Sequence, residues 1–271
     1  MSTTFNKAID YFKLVASSSP KLKIKSSSEN RSKETASGQN THGDTVVVDS
    51  YGETAAPSAE YEVIADMAAA DLPVLGKVVA ADPTNPDIKI GGTGRPVALG
   101  SITISTQTGS APTITASGQA IHAGGTQIRW YDLAAIFPAF SLTTRHRAQD
   151  FLGLCAIKKG TSAASPVEDY GLSSVNANFP VEFTLARPQG VLLNYDLHGG
   201  TVTVDYTMNW YAHGGTPDAM IPPVIELASS VPTNTTITTP EGRSDPENGY
   251  TQYTWQVSVP LVGSDEAPSN S

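Results

Sequence analysis

A chain of 271 residues with 39% hydrophobic and 16% charged side chains, 23 Gly, 19 Pro and one Cys is long enough for a core of its own. It is too poor in charge for a coiled coil, a helical bundle or an acidic disordered tail, and its single cysteine, Cys155, excludes an intrachain disulfide framework and a cysteine-built zinc cluster. The formal charge of −9 excludes a simple nucleic-acid binder, but it is unevenly spread: residues 1–43 hold seven bases and three acids, net +4, and the remainder ten bases and 23 acids, net −13.

In chain order, the first regular signal is a short helix over 4–16, where Phe5, Ile9, Phe12 and Ala16 recur at helical spacing behind Thr4 as N-cap. So short a helix is marginal in water and its apolar stripe needs a partner. Phe5, Ile9 and Phe12 are therefore candidate contacts, either to another subunit or to the chain's own body. Residues 17–42 have linker composition: lysines alternate through Lys21, Lys23 and Lys25, then Ser, Asn, Glu and Gly dominate. That is too little apolar area to offset the entropy of ordering, although the Lys/Leu/Ile alternation also suits one edge strand. Residues 45–49 (Thr-Val-Val-Val-Asp) form a β-prone island in this extended stretch.

From Glu60 onward strand and turn units follow one another. Strands are predicted over 61–65, 97–106, 113–122, 126–131, 140–144, 151–158, 180–186, 191–197, 201–212, 224–228, 235–239 and 250–259, with 71–81 ambiguous and one helical turn over 133–137 before Pro138. The clearest is 201–212, where Val202, Val204, Tyr206, Met208 and Trp210 alternate with polar residues. Residues 160–178, rich in Ser, Ala and Asn, read as a long loop. Helix and strand do not alternate, no repeat recurs, and the long connections suit crossing between two sheets. The expectation is an all-β chain: an extended N-terminal arm with one short helix (1–59), a two-sheet jelly-roll β-sandwich (60–260) and a polar tail (261–271). Residues 1–16 lack the apolar core of a signal peptide and no run of about 18 apolar residues occurs, so a chain made in the cytoplasm without a membrane span is expected.

His122, His198 and His213 each stand just ahead of a Gly-Gly pair, but this spacing matches no known ligand pattern and Gly-Gly after a strand is ordinary turn chemistry. Around Ser117 the first glycine of a nucleophile elbow is missing. Cys155 lies in the apolar run 152–157, which favours a buried, inert thiol. Gly91-Gly92-Thr93-Gly94-Arg95 lacks the ending of a phosphate loop. Arg145-His146-Arg147 is a small basic cluster read as a solvated edge. Trp130, Trp210 and Trp255 read as core anchors, though a carbohydrate-binding module would expose such residues as a platform. No catalytic residue, metal ligand or cofactor is expected, and the chain is read as a non-enzyme.

The basic arm, the Ser/Thr/Gly/Pro-rich β body, the segment Asp44-Thr-Val-Val-Val-Asp-Ser-Tyr-Gly-Glu-Thr54, the step Trp130-Tyr131-Asp132-Leu133-Ala-Ala-Ile136-Phe137 and the 201–212 strand together resemble the jelly-roll capsid subunits of small non-enveloped picorna-like RNA viruses of arthropods, those with a capsid protein in its own short reading frame included. A start Met would fit a complete product, where most picorna-like subunits are cut from a polyprotein. The resemblance implies a structural subunit of an icosahedral virion, assembled in the host cytoplasm with copies of itself or sister capsid proteins. It also implies an arm on the inner shell, with Lys21, Lys23, Lys25, Arg31 and Lys33 as candidate contacts to genomic RNA or inner shell. RNA-neutralising arms carry many more bases, so subunit contact is expected first and RNA contact second. Two alternatives stand beside it: a carbohydrate-binding sandwich of fibre or adhesin type, and a viral movement or accessory protein with a similar body.

Overall fold

The computed structural model describes residues 7–16, 18–82, 84–107, 109–121, 126–127, 130–143, 153–159, 172–179, 182–186, 194–198, 200–210, 223–229 and 231–261. Over these residues the regular structure is almost wholly strand, and the architecture is an all-β sandwich of curled, mainly antiparallel sheets. The principal elements are β1 (Leu22–Gln39), β2 (Thr45–Val63), β3 (Val97–Gln107), β4 (Thr113–Ala120), α1 (Leu133–Ile136), β5 (Cys155–Lys159), β6 (Leu172–Phe179), β7 (Thr201–Trp210), β8 (Pro223–Leu227), β9 (Thr236–Ile237), β10 (Glu241–Asp245) and β11 (Tyr250–Pro260). The large sheet runs β1-β2-β4-β3-β6-β7-β11-β9, with β10 also paired to β11 and Val78–Val79 to β3; β5 and β8 pair with each other.

Period-two alternation gives this sheet its apolar face. Val202, Val204, Tyr206, Met208 and Trp210 of β7 are buried, as are Trp255, Val257 and Val259 of β11. The register sets Val204 opposite Val257 and Tyr206 opposite Trp255. The Tyr206 and Trp255 rings stack at 5.1 Å and 2°. Farther along, Ile104 faces Ile114 and Ile102 faces Ala116 across β3 and β4, and Ala59, Tyr61 and Val63 of β2 complete the face. Leu72, Leu75, Ile88, Tyr131, Leu133, Phe137, Phe140 and Leu142 join the same core. The α1 turn forms as expected, because the Asp132 carboxylate accepts from the Ala134 and Ala135 N–H groups at 3.0 and 3.3 Å. Gly91 and Gly92, with φ of 56° and 80°, make the tight turn joining Lys89–Ile90 to Thr93–Gly94.

Three expectations are corrected. Residues 7–16 are not helical; Phe5 and the rest of 1–6 lie outside the described residues. The Asp10 carboxylate takes the Leu14 and Val15 N–H groups at 3.2 and 3.0 Å, and Lys13 turns the backbone left-handed at φ 52°, so side chain and backbone close a local turn in place of a helix. Residues 17–42 are not a linker: 22–39 form the 18-residue β1, paired along its length with the 19-residue β2. The 160–178 loop contains β6, an interior strand held between β3 and β7; ladder hydrogen bonds on both edges override the weak strand propensity of its Ser and Asn residues. Arg145, His146, Arg147, His122 and His213, and the polar tail expected beyond Leu261, lie outside the described residues.

Candidate interaction surface on the amino-terminal ribbon

The ribbon of β1 and β2 pairs with the body sheet only at its base, while farther out Ala55 is buried in the main core and Arg31 reaches the Lys89 carbonyl. β2 pairs with β4 through 58–62, from Ser58 opposite Ser117 to Glu62 opposite Thr113. Over 45–57 its outer edge pairs with no described strand, and β1 is the outermost strand of the large sheet. Register shifts at Ile24/Ser26, Ser32/Glu34 and Ala36/Ser37 add twist along the ribbon. Its far end is closed by a tight loop, where Asn40 Oδ1 accepts from the His42 and Asp44 N–H groups at 2.9 Å each and Gly43 turns at φ 85°. Ser32 and Thr54, a facing pair, share a hydroxyl hydrogen bond at 2.6 Å.

Beneath the base lies the segment 7–16. Tyr11 and Phe12 are buried in the main core, and Leu22 joins them. Asp10 receives the Tyr61 hydroxyl at 2.6 Å. Burial first, then the bond and charge of Asp10, push the Tyr61 phenol upward, so it remains a donor to that carboxylate. The Ile9 N–H donates to Ser27 Oγ at 2.8 Å, and Ile9 itself is 38% exposed. Of the candidate subunit contacts, then, Phe12 is spent on the chain's own body and Ile9 stays at the surface.

The candidate polyanion contacts are mostly paired with carboxylates. Lys21 reaches Asp71 at 2.7 Å, Lys25 reaches Glu60 at 2.7 Å, and Arg31 bonds Glu29, Glu53 and the Lys89 carbonyl. Lys13 similarly meets Asp87 at 2.7 Å. Lys23 stands opposite Glu62 in the register, and Lys33 is exposed. Burial opposes the charge of Asp71, but the Lys21 ammonium and the Ala68 N–H outweigh it and hold the carboxyl below its ordinary value. The Lys25 hydrogen bond likewise lowers Glu60. Between Leu22 and Val63 there are four bases and seven acids. The positive charge of β1 is cancelled by the strand that folds back on it.

Sequence reasoning singled out the bases and missed Asp10, Tyr61, Asp71, Glu53 and Glu60, which position or neutralise them. One signal was legible: Asn40-Thr-His-Gly-Asp44, a turn composition between two polar β-compatible runs.

Elsewhere, Cys155 accepts the Trp255 indole N–H at 3.4 Å, and burial pushes its thiol up to about 11, leaving it the neutral, unreactive form. Trp130, Trp210 and Trp255 are all buried. No helix among the described residues is long and apolar enough to cross a membrane. The structure thus defines an all-β sandwich with a long two-stranded ribbon at one edge of its large sheet. In comparison with known proteins, no family model matches the chain and no curated protein matches it.

Proposed function

We propose that the chain is a structural subunit that builds a shell with copies or siblings of itself, the ribbon acting as its strap. The observation that carries this reading is the ribbon's attachment: two strands of 18 and 19 residues whose pairing to the body sheet is confined to 58–62, with Ala55 and Arg31 the outermost contacts to the body named above. A two-stranded ribbon is marginal in water without a third partner, so its distal half gains its stability when a neighbour covers it. The finer reading is a jelly-roll capsid subunit of a non-enveloped icosahedral RNA virus, acting in the virion after assembly in the host cytoplasm; it rests on resemblance of sequence texture. RNA is a secondary partner in this reading, since the ribbon carries more acids than bases. The same acidity disfavours the single-stranded nucleic-acid contact of a movement protein. A glycan platform would have to be built without the three tryptophans, which lie inside.

The test is sedimentation and electron microscopy of the full chain beside a variant in which 33–53 is replaced by Asn-Gly, closing the ribbon at the Ser32–Thr54 pair. The full chain should form closed or curved multimers, and the short-ribbon variant should stay monomeric with a native melt. A full chain that remains monomeric at every concentration and salt would overturn the reading, as would a short-ribbon variant that assembles as well as the full chain.

A further inference from the structure

We infer that the ribbon tip pairs with the same tip of a second copy, strand β2 against strand β2, about a two-fold axis at Val47. This deepens the assembly reading and rests on it.

The ribbon is divided by charge. Its basal part carries Lys23, Lys25, Glu29, Arg31 and Lys33 on β1, the kind of charged edge that discourages strand addition. Past Glu34 the guard ends: 35–39 is Thr-Ala-Ser-Gly-Gln and 45–48 is Thr-Val-Val-Val. The register places Asp49 opposite Ala36, Val47 opposite Ser37 and Val46 opposite Gly38, so Val48 is the extra residue of the shift between Ala36 and Ser37 and has no partner in the β1 register. The valine run therefore has only a serine and a glycine as ribbon partners, and on its other edge no described strand. An uncharged β-branched strand with a free edge is the template to which another strand adds.

The occupant follows from the sequence of the strand itself. Antiparallel pairing of two copies about Val47 sets Val47 against Val47, Val46 against Val48, and Thr45 against Asp49. Asp44 then faces Ser50. Apolar residues meet apolar ones, each acid faces a hydroxyl, and no like charges are opposed, which is the pairing an antiparallel sheet favours. Such a contact is isologous and closes on itself. It converts two marginal two-stranded tips into one four-stranded sheet. A polyanion has no basic surface at this tip, where Asp44 and Asp49 are the only charges between Gln39 and Ser50 apart from His42.

The experiment uses full-length Val47→Cys, Lys33→Cys and Val47→Lys variants. Facing residues of an antiparallel pair have Cα atoms about 4.5–5.5 Å apart, within disulfide reach. Under mild oxidation Val47→Cys should run as a covalent dimer on a non-reducing gel. Wild type, whose half-buried Cys155 thiol is held in the neutral form, and Lys33→Cys should remain monomeric on the gel. Val47→Lys, which opposes two ammonium groups at the axis, should keep a native melt and raise the dissociation constant measured by sedimentation about tenfold or more. If Val47→Cys does not cross-link and Val47→Lys sediments as wild type while the chain still assembles, tip pairing is wrong and the assembly reading survives. If wild type is a monomer throughout and Val47→Cys does not cross-link, both fall.

Discussion

Phe12 and Gly118 fix how the leading segment seats on the body. A Cβ on Gly118 would stand 2.1 Å from the Ala98 carbonyl oxygen and 2.8 Å from Phe12 Cε1. The β3 strand bulges here, between Leu99 and Ser101, which brings its backbone close. Gly118→Ala should therefore destabilise by about 2 kcal/mol through overpacking, and Phe12→Ala by about 3 kcal/mol through a cavity, both read from denaturant midpoints. Adding Phe12→Ala to Gly118→Ala should not rescue it, because the nearer clash is with backbone; recovery in the double variant would show that the ring alone required the glycine. Asp71 makes a pH prediction. Its folded carboxyl is lowered, so its contribution is full above the ordinary carboxylate range and is lost as pH falls through the depressed folded value. Asp71→Asn should flatten the acid limb of the stability curve and leave the alkaline limb unchanged. An acid limb as steep as wild type would detach Asp71 from the fold's acid sensitivity.

At the scale of elements, strands with a bulky apolar buried face were legible and those without were not. The 97–106, 201–212 and 250–259 alternations match β3, β7 and β11 closely because the core demands an apolar residue at every second position. β1 hid because much of its length has no core face to demand anything: Ser26, Ser28, Asn30, Ser32 and Thr35 are exposed, and pairing is supplied by the opposite strand; β2 does bury every second residue from Ala55 to Val63, but its inward Ala55 and Ala59 are too small to stand out as an apolar alternation. β6 hid for the opposite reason, being ladder-held between two strong strands. Long-range pairing of this kind leaves no periodic trace in a local window. The Phe5, Ile9, Phe12 spacing misled because Asp10, inside the same window, bonds the backbone locally. These differences carry over to dynamics. In the monomer, β2 amides over 58–62, flanked by β1 and β4, should exchange far more slowly than those over 45–54. Equal protection along β2 in a demonstrably monomeric sample would mean the tip needs no partner.

For the whole molecule, the +4 of residues 1–43 and the acidity of the remainder suggest an arm held by electrostatics, but magnitudes favour another account. Four ion pairs join the leading segment and β1 to the rest: Lys13–Asp87, Lys21–Asp71, Lys25–Glu60 and Arg31–Glu53, each cation at least 38% exposed. Exposed pairs contribute little and are screened by salt. Tyr11, Phe12 and Leu22, by contrast, are at most 6% exposed, and burying side chains of this size is worth about 1.5–3 kcal/mol each. The leading segment is thus part of the core, and the charge asymmetry tunes a docking made by apolar contact. Deleting 1–21 should lower the melting midpoint of the body sharply, whereas raising salt to about 1 M, where the screening length is about 3 Å, should lower that of the intact chain only slightly. The Phe12→Ala chain should lose more stability than a chain with Lys13, Lys21 and Arg31 all replaced by Gln. If salt alone reproduced the deletion, or the triple Gln variant fell below Phe12→Ala, the segment would be a charge-held arm after all.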